Sequence, residues 1–97
     1  MRATATYSVA LVGEVDLAEA TRLSALAAAY ETGATADARV DLRDVTFMDS
    51  AGLAFLARLV RSAHERGGEV VLVGPSPAVR RLLTVSGLDQ LTRIVAG

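Results

Sequence analysis

The sequence has no cysteine, no lysine and no tryptophan, and only two prolines in 97 residues. Without cysteine there is no disulfide, no thiol nucleophile and no thiolate metal site. That absence suits a reducing compartment without proving one, and a cytoplasmic protein is expected. Without lysine there is no Schiff-base chemistry and no lysine of a phosphate-binding loop. All ten basic residues are arginine, as codon usage in a GC-rich genome would produce. The single histidine, His64, has no nominated partner for a catalytic triad and cannot build a metal site alone. Ten basic residues face eleven acidic ones, for a net charge of -1. That balance gives no bulk attraction for nucleic acid or an anionic membrane. No apolar run approaches the roughly 18 residues that span a bilayer. Nor is Met1-Arg2-Ala3-Thr4 followed by the uncharged apolar stretch of a signal peptide.

What is present is a core-rich composition, 52% hydrophobic and 22% charged. A chain this short buries roughly two-thirds of its unfolded surface, so residues 1–97 read as one domain. Tyr7, Val9 and Leu11 alternate with Ser8 and Ala10, which predicts a strand from Tyr7 to Val12. Asp16 reads as an N-cap, with Glu19 at capping-box spacing. The helix that follows, to about Tyr30, would bury Ala20, Leu23, Ala27 and Tyr30. Arg39 to Leu42 predicts a short second strand. A second helix from about Ser50 to Arg66 would bury Leu53, Leu56, Ala57, Val60 and Ala63, and Gly67-Gly68 closes it. Val70 to Val73 has the unbroken apolar character of a central strand. Ser76 and Pro77 start a third, short helix, with Val79, Leu82 and Leu83 inward, that ends at Gly87. Leu91 to Val95 is a last strand. The β-α-β-α-β-α-β order predicts an α/β fold with a mostly parallel four-stranded sheet and helices packed on it.

The chemically informative stretch is Phe47-Met48-Asp49-Ser50-Ala51-Gly52-Leu53, a strand running into a helix. Ser50 falls where the first backbone N–H groups lack intrahelical partners. A serine hydroxyl there caps the helix; a phosphoryl group there is held by the same N–H donors and the helix dipole. Ala51 and Gly52 keep the surrounding surface low, so that a partner can reach the hydroxyl. Asp41, Asp44 and Asp49 form an acidic strand end, read as solvated turn caps. Gly74-Pro75-Ser76-Pro77 lacks the spacing of a phosphate loop. Arg58, Arg61 and Arg66, and Arg80 with Arg81, read as solvated basic surface. No residue set meets the geometric requirements of a catalytic site, so no enzyme, cofactor or metal is expected.

Gly13-Glu14-Val15-Asp16-Leu17, Val40-Asp41-Leu42 and Phe47-Met48-Asp49-Ser50-Ala51-Gly52-Leu53 resemble the STAS domain of bacterial anti-sigma factor antagonists. Arg66-Gly67-Gly68-Glu69-Val70, Ser76-Pro77-Ala78-Val79 and Ser86-Gly87-Leu88 fit the same pattern, so the resemblance spans nearly the whole chain. It implies a protein that binds an anti-sigma factor serine kinase and thereby releases a sigma factor. The kinase would phosphorylate Ser50, and a phosphoserine phosphatase would restore the hydroxyl. The partner surface implied is Asp16, Asp49, Ser50, Ala51 and Gly52. No direct nucleic-acid contact and no membrane insertion are implied. The family usually has a further short strand before the first one here and a last helix after the last strand. A minimal version is therefore expected, with an exposed sheet edge or a bare core face, and an uncovered apolar surface there would favour self-association or a partner. A second STAS resemblance, to accessory subunits of ABC lipid transporters, implies binding to an ATPase without a phosphorylation switch.

Overall fold

The computed structural model describes residues 5–97, which contain four strands and three α-helices. In chain order these are β1 (Thr6–Val15), α1 (Ala20–Thr32), β2 (Asp37–Met48), α2 (Ser50–Glu65), β3 (Val70–Val73), α3 (Pro77–Ser86) and β4 (Arg93–Val95). Single 3-10 turns, Leu17–Glu19 and Leu88–Gln90, lead into α1 and toward β4. The strands pair in the order β1-β2-β3-β4, all parallel. Right-handed crossovers that all advance in one direction put the three helices on one face of the sheet.

The register explains the core. Val9, Val40, Leu72 and Ile94 form one row across the four strands. This row packs into a single apolar cluster with Leu23, Tyr30, Leu56, Leu59 and Leu83 from the helices. The next row, Ser8, Arg39, Val71 and Arg93, belongs to the other face, where both arginines are exposed. All four residues of β3 are buried, as its unbroken apolar run predicts.

The predicted caps of α3 are in place. Ser76 Oγ accepts from Val79 N–H at 3.3 Å, Pro77 opens the helix, and Gly87 closes it in the left-handed region at φ 81°. Other expectations need correction. α1 is preceded by a 3-10 turn, and no capping box forms: the Glu19 carboxylate pairs with Arg22 at 3.4 Å. Ala20 is exposed, leaving Leu23, Ala27 and Tyr30 as the buried stripe. On α2 the buried face is rotated from the one expected. Phe55 and Leu59 point inward with Leu56 and Ala63, whereas Leu53 and Val60 are half-buried and Ala57 is exposed. β4 is only three residues long, because the second 3-10 turn takes up the preceding chain and Leu91 stays exposed. The reading of Met1-Arg2-Ala3-Thr4 lies outside the described residues, as does any strand there; among the described residues β1 is an edge strand.

The correction that matters most is β2. It runs for 12 residues, well past the expected Leu42. Two register irregularities, between Ala10 and Val12 and between Gly13 and Glu14, each leave β2 one residue ahead of β1. Such bulges absorb residues that break the apolar alternation and bend the strand. At the first, Asp41 Oδ1 accepts from Arg43 N–H at 2.9 Å, and its Oδ2 lies 2.6 Å from the Arg43 guanidinium. At the second, Gly13 supplies a φ of 74°, a conformation that favours glycine. β3 pairs with β2 only from Ala38 to Asp41. β1 and β2 therefore extend together beyond it and bring Asp16 and Asp49 to the same end of the sheet.

Candidate phosphoacceptor site

Two strand ends build the site. β1 delivers Asp16 and β2 delivers Asp49, and the backbone N–H of Asp49 donates to Val15 O at 3.2 Å. Each aspartate is extended and caps the turn that follows it. Asp16 Oδ1 accepts from Ala18 N–H at 3.1 Å. Asp49 Oδ1 accepts from Ala51 N–H at 2.8 Å, and its Oδ2 accepts from Leu17 N–H at 3.3 Å. One carboxylate thus caps α2 and also ties down the turn that opens α1.

The N-cap of α2 is therefore Asp49, and Ser50 is the first helical residue. The expectation that Ser50 caps the helix is corrected here. Asp and Ser are equally good N-caps; the choice falls on the residue that is still extended as β2 ends. As a result the Ser50 hydroxyl makes no hydrogen bond to any described residue, and Ser50 is exposed. The Ser50 hydroxyl therefore neither caps the helix nor packs in the core.

Ala51 is half-buried beside Ser50, with its N–H committed to Asp49. Gly52 is not part of the exposed surface: it is buried, and a Cβ there would lie 2.5 Å from Met48 Cγ and 3.1 Å from Val15 Cγ1. Its missing side chain lets α2 sit down on the ends of β1 and β2. Gly52 thus shapes the seat of the helix and presents no side to a partner.

The end of the sheet that carries Ser50 is acidic. Among the described residues Glu14, Asp16, Asp44 and Asp49 have no ion-pair partner, while Glu19 is paired with Arg22. Asp41 does not join them. Hydrogen bonds from the Arg43 side chain, and then from its N–H, push the Asp41 carboxyl down to about 2. Among the described residues no three His, Asp or Glu side chains converge as a metal-ligand set. No helix among them is long and apolar enough to cross a membrane.

Beside Ser50 a cleft of about 280 Å³ opens between α1 and α2. Leu17 forms its lip, 76% exposed. Ala20, Ala51, Ala54 and Phe55 form its walls. Its far end is closed by Arg58, which holds both Glu31 carboxylate oxygens at 2.6 Å and Ser24 Oγ at 3.1 Å. Those bonds keep the Glu31 carboxyl below its ordinary range. Reading the sequence alone passes over this cleft and over Leu17. Leu17 lies three residues before Ala20 and continues the spacing of the α1 stripe, so the sequence by itself reads it as a core residue.

The match to known proteins covers most of the chain. A family model described as "Mlab, STAS domain" matches residues 2–95. The anti-sigma-B factor antagonist of Listeria monocytogenes is 31% identical over 84 residues, covering 87% of this chain and 74% of that protein. The structure of the anti-sigma factor antagonist SpoIIAA in its unphosphorylated form superposes with a TM-score of 0.82 at 26% identity, covering 100% of this chain and 84% of that one. The phosphorylated form of SpoIIAA, from Bacillus, shares the fold with a TM-score of 0.78 at 24% identity, covering 100% of this chain and 86% of that one. With these matches, the parallel four-stranded sheet and the Asp49-Ser50 step at the start of α2, the chain belongs to the STAS domain family.

Proposed function

We propose that this protein is an anti-sigma factor antagonist. It binds an anti-sigma factor that is also a serine kinase, frees a sigma factor, and is inactivated by phosphorylation of Ser50. A phosphoserine phosphatase returns it to the binding form. The observation that carries this reading is the exposed, uncommitted Ser50 hydroxyl at the first position of α2, left free because Asp49 takes the cap. The relatives named as anti-sigma factor antagonists, and SpoIIAA with its two phosphorylation states, support the same reading.

The physics of the switch is local. A phosphoserine adds about −1.5 to −2 charges at neutral pH. At Ser50 that charge meets the α2 N-terminus, which favours anions, and stands next to the Asp49 carboxylate, which does not. The Ala51 N–H already serves Asp49, so what favours the phosphate is the positive end of the α2 dipole, and the fold has no need to rearrange. A surface matched to a neutral hydroxyl then faces a dianion, and a hundredfold loss of affinity needs only about 2.7 kcal/mol.

The test uses Ser50→Ala and Ser50→Asp with each purified serine-kinase anti-sigma factor of the source cell. Ser50→Ala is expected to bind and escape phosphorylation, and Ser50→Asp to bind weakly. Both are expected to melt within about 0.5 kcal/mol of wild type, because the hydroxyl supports nothing in the fold. Intact-mass measurement of the protein from its own cells, with fragmentation around Ser50, locates the phosphate. Equal binding by all three proteins overturns the reading. Co-purification with a transporter ATPase and an unmodified Ser50 replaces it with the transporter-subunit alternative.

A further inference from the structure

At the end of α2 away from Ser50 a groove of about 600 Å³ opens between the last turns of that helix, the start of β3 and Leu91, just before β4. No residue of α3 lines it. Its apolar lining includes Val60, Ala63 and Val70, of which Ala63 and Val70 are buried and Val60 is half-buried. Leu91 stands on its edge, 63% exposed. An exposed leucine is unremarkable alone. This one places an apolar knob beside an apolar hollow on the same face. Arg61 and Glu65 also line the groove, one turn apart on α2. Neither makes an ion pair among the described residues. The charge of Arg61 reaches Glu31, but both oxygens of that carboxylate are already held by Arg58.

We propose that this groove is the contact face of a symmetric homodimer, in which Leu91 of each copy enters the groove of the other and the two α2 helices run antiparallel across the two-fold axis. Charge selects the occupant. A two-fold contact sets a surface against its own image, so it favours a rim that carries both signs. With the helices antiparallel, Arg61 of one copy meets Glu65 of the other, and symmetry supplies the reverse pair. Two other exposed surfaces fail this requirement. The Ser50 end carries Glu14, Asp16, Asp44 and Asp49 without ion pairs among the described residues, and it would repel its own image. The outer side of α3 carries exposed Arg80 and Arg81 and would do the same. A strongly acidic or strongly basic partner gains little from a rim whose charges cancel. Ser50 lies roughly 20 Å away along α2, at 1.5 Å per residue. The dimer therefore leaves both Ser50 hydroxyls open, and it stands or falls independently of the antagonist reading.

The experiment is sedimentation equilibrium of the full chain over roughly 1–100 μM, with thermal melts at both ends of that range. Wild type is expected to pass from monomer to dimer, and its melting midpoint to rise with concentration, because association stabilises the folded form. Leu91→Asp, at an exposed position, is expected to weaken association about tenfold. Arg61→Glu sets a carboxylate against Glu65 across the axis and is expected to weaken it by a similar factor. Adding Glu65→Arg to Arg61→Glu exchanges the signs in both copies and is expected to restore association, a recovery that damaged folding would not show. Val85→Asp removes the most exposed of the large apolar residues, one that does not line the groove, and is expected to associate like wild type. A wild-type chain that stays monomeric throughout overturns the proposal. So does a dimer that both Leu91→Asp and Arg61→Glu leave intact, as pairing through the edge strand β1 would be.

Discussion

Asp49 Oδ2 accepts the N–H of Leu17, 32 residues earlier in the chain, at 3.3 Å, while its Oδ1 accepts the N–H of Ala51 at 2.8 Å. The same carboxylate therefore positions the helix that carries Ser50 and the turn that carries the exposed Leu17. Replacing it tests both roles. Asp49→Ala is expected to lose about 1 kcal/mol for the cap and about 0.5–1.5 kcal/mol for the bond to Leu17. In a domain of this size each kcal/mol lowers the melting midpoint by roughly 4–8 °C. Asp49→Asn keeps one acceptor oxygen and is expected to fall between Ala and wild type. Thermal unfolding followed by circular dichroism reads the order; an Ala variant that melts like wild type removes the carboxylate from the account.

Gly52 marks the closest approach of α2 to the strands. Alanine there improves helix propensity by about 1 kcal/mol, but its Cβ lands 2.5 Å from Met48 Cγ and 3.0 Å from Met48 Sδ. Overpacking costs about 1–3 kcal/mol, so Gly52→Ala is expected to be destabilising on balance. The specific signature is coupling: Met48→Ala in the same chain removes the two contacts to Met48 and leaves only the milder one to Val15, so the double variant is less destabilised than the sum of the singles. Additive urea midpoints are the contrary result.

Arg66 closes the other end of α2 against α1. Its guanidinium donates to Gly33 O at 3.0 Å, Thr35 O at 2.8 Å, Tyr30 O at 2.9 Å and Ser62 Oγ at 2.8 Å, and lies 4.4 Å from the centre of the Tyr30 ring. A lysine ammonium has the charge and lacks the planar fork. Arg66→Ala is expected to cost about 2–3 kcal/mol, since charge-assisted hydrogen bonds are among the stronger ones. Arg66→Lys is expected to recover only part of this. Urea unfolding that ranks Lys with Arg contradicts the role of the fork.

The Asp41–Arg43 pair sets an acid dependence. The Asp41 carboxyl lies at about 2, below its ordinary 3.8, because Arg43 donates to its ionised form. A carboxyl depressed in the folded state contributes stability above its unfolded value, and that contribution fades as pH falls from about 3.8 through about 2. The pair is exposed at the surface, so the effect is small. The stability difference between wild type and Asp41→Asn is expected to be constant above about pH 5 and to shrink toward pH 2. A difference unchanged over that range overturns the assignment.

Much of this molecule can be read from local signals. Ser76-Pro77 and Gly87 bound α3 because an N-cap, a fixed φ and a left-handed terminus are properties of single residues. The run Val70–Val73 is a buried strand because nothing in it tolerates water. The alternation of strand and helix patterns dictates a parallel sheet through the handedness of its crossovers. The Asp-Ser-Ala-Gly-Leu step marks where the candidate site lies. The length of β2 was not legible, because Arg43, Asp44 and Thr46 interrupt its alternation and only pairing with β1 through two bulges keeps it a strand. The buried face of α2 was misread for a similar reason. Leu53, Val60, Phe55 and Leu59 are all apolar, and which of them turn inward depends on how the helix lies on the sheet.

Sequence alone determined the class of fold, the order of its elements and the residue that offers a hydroxyl, since each follows from backbone preference and apolar spacing within a few residues. Tertiary structure alone decided that this hydroxyl is free. Asp49 and Ser50 are adjacent and equally fit to cap α2, and the extended end of β2 gives the cap to Asp49. The same placement brings Leu17 to Asp49 and opens the cleft beside Ser50. These are contacts between segments about thirty residues apart, whose separation is set by how β1 and β2 pair and not by any local preference of the chain.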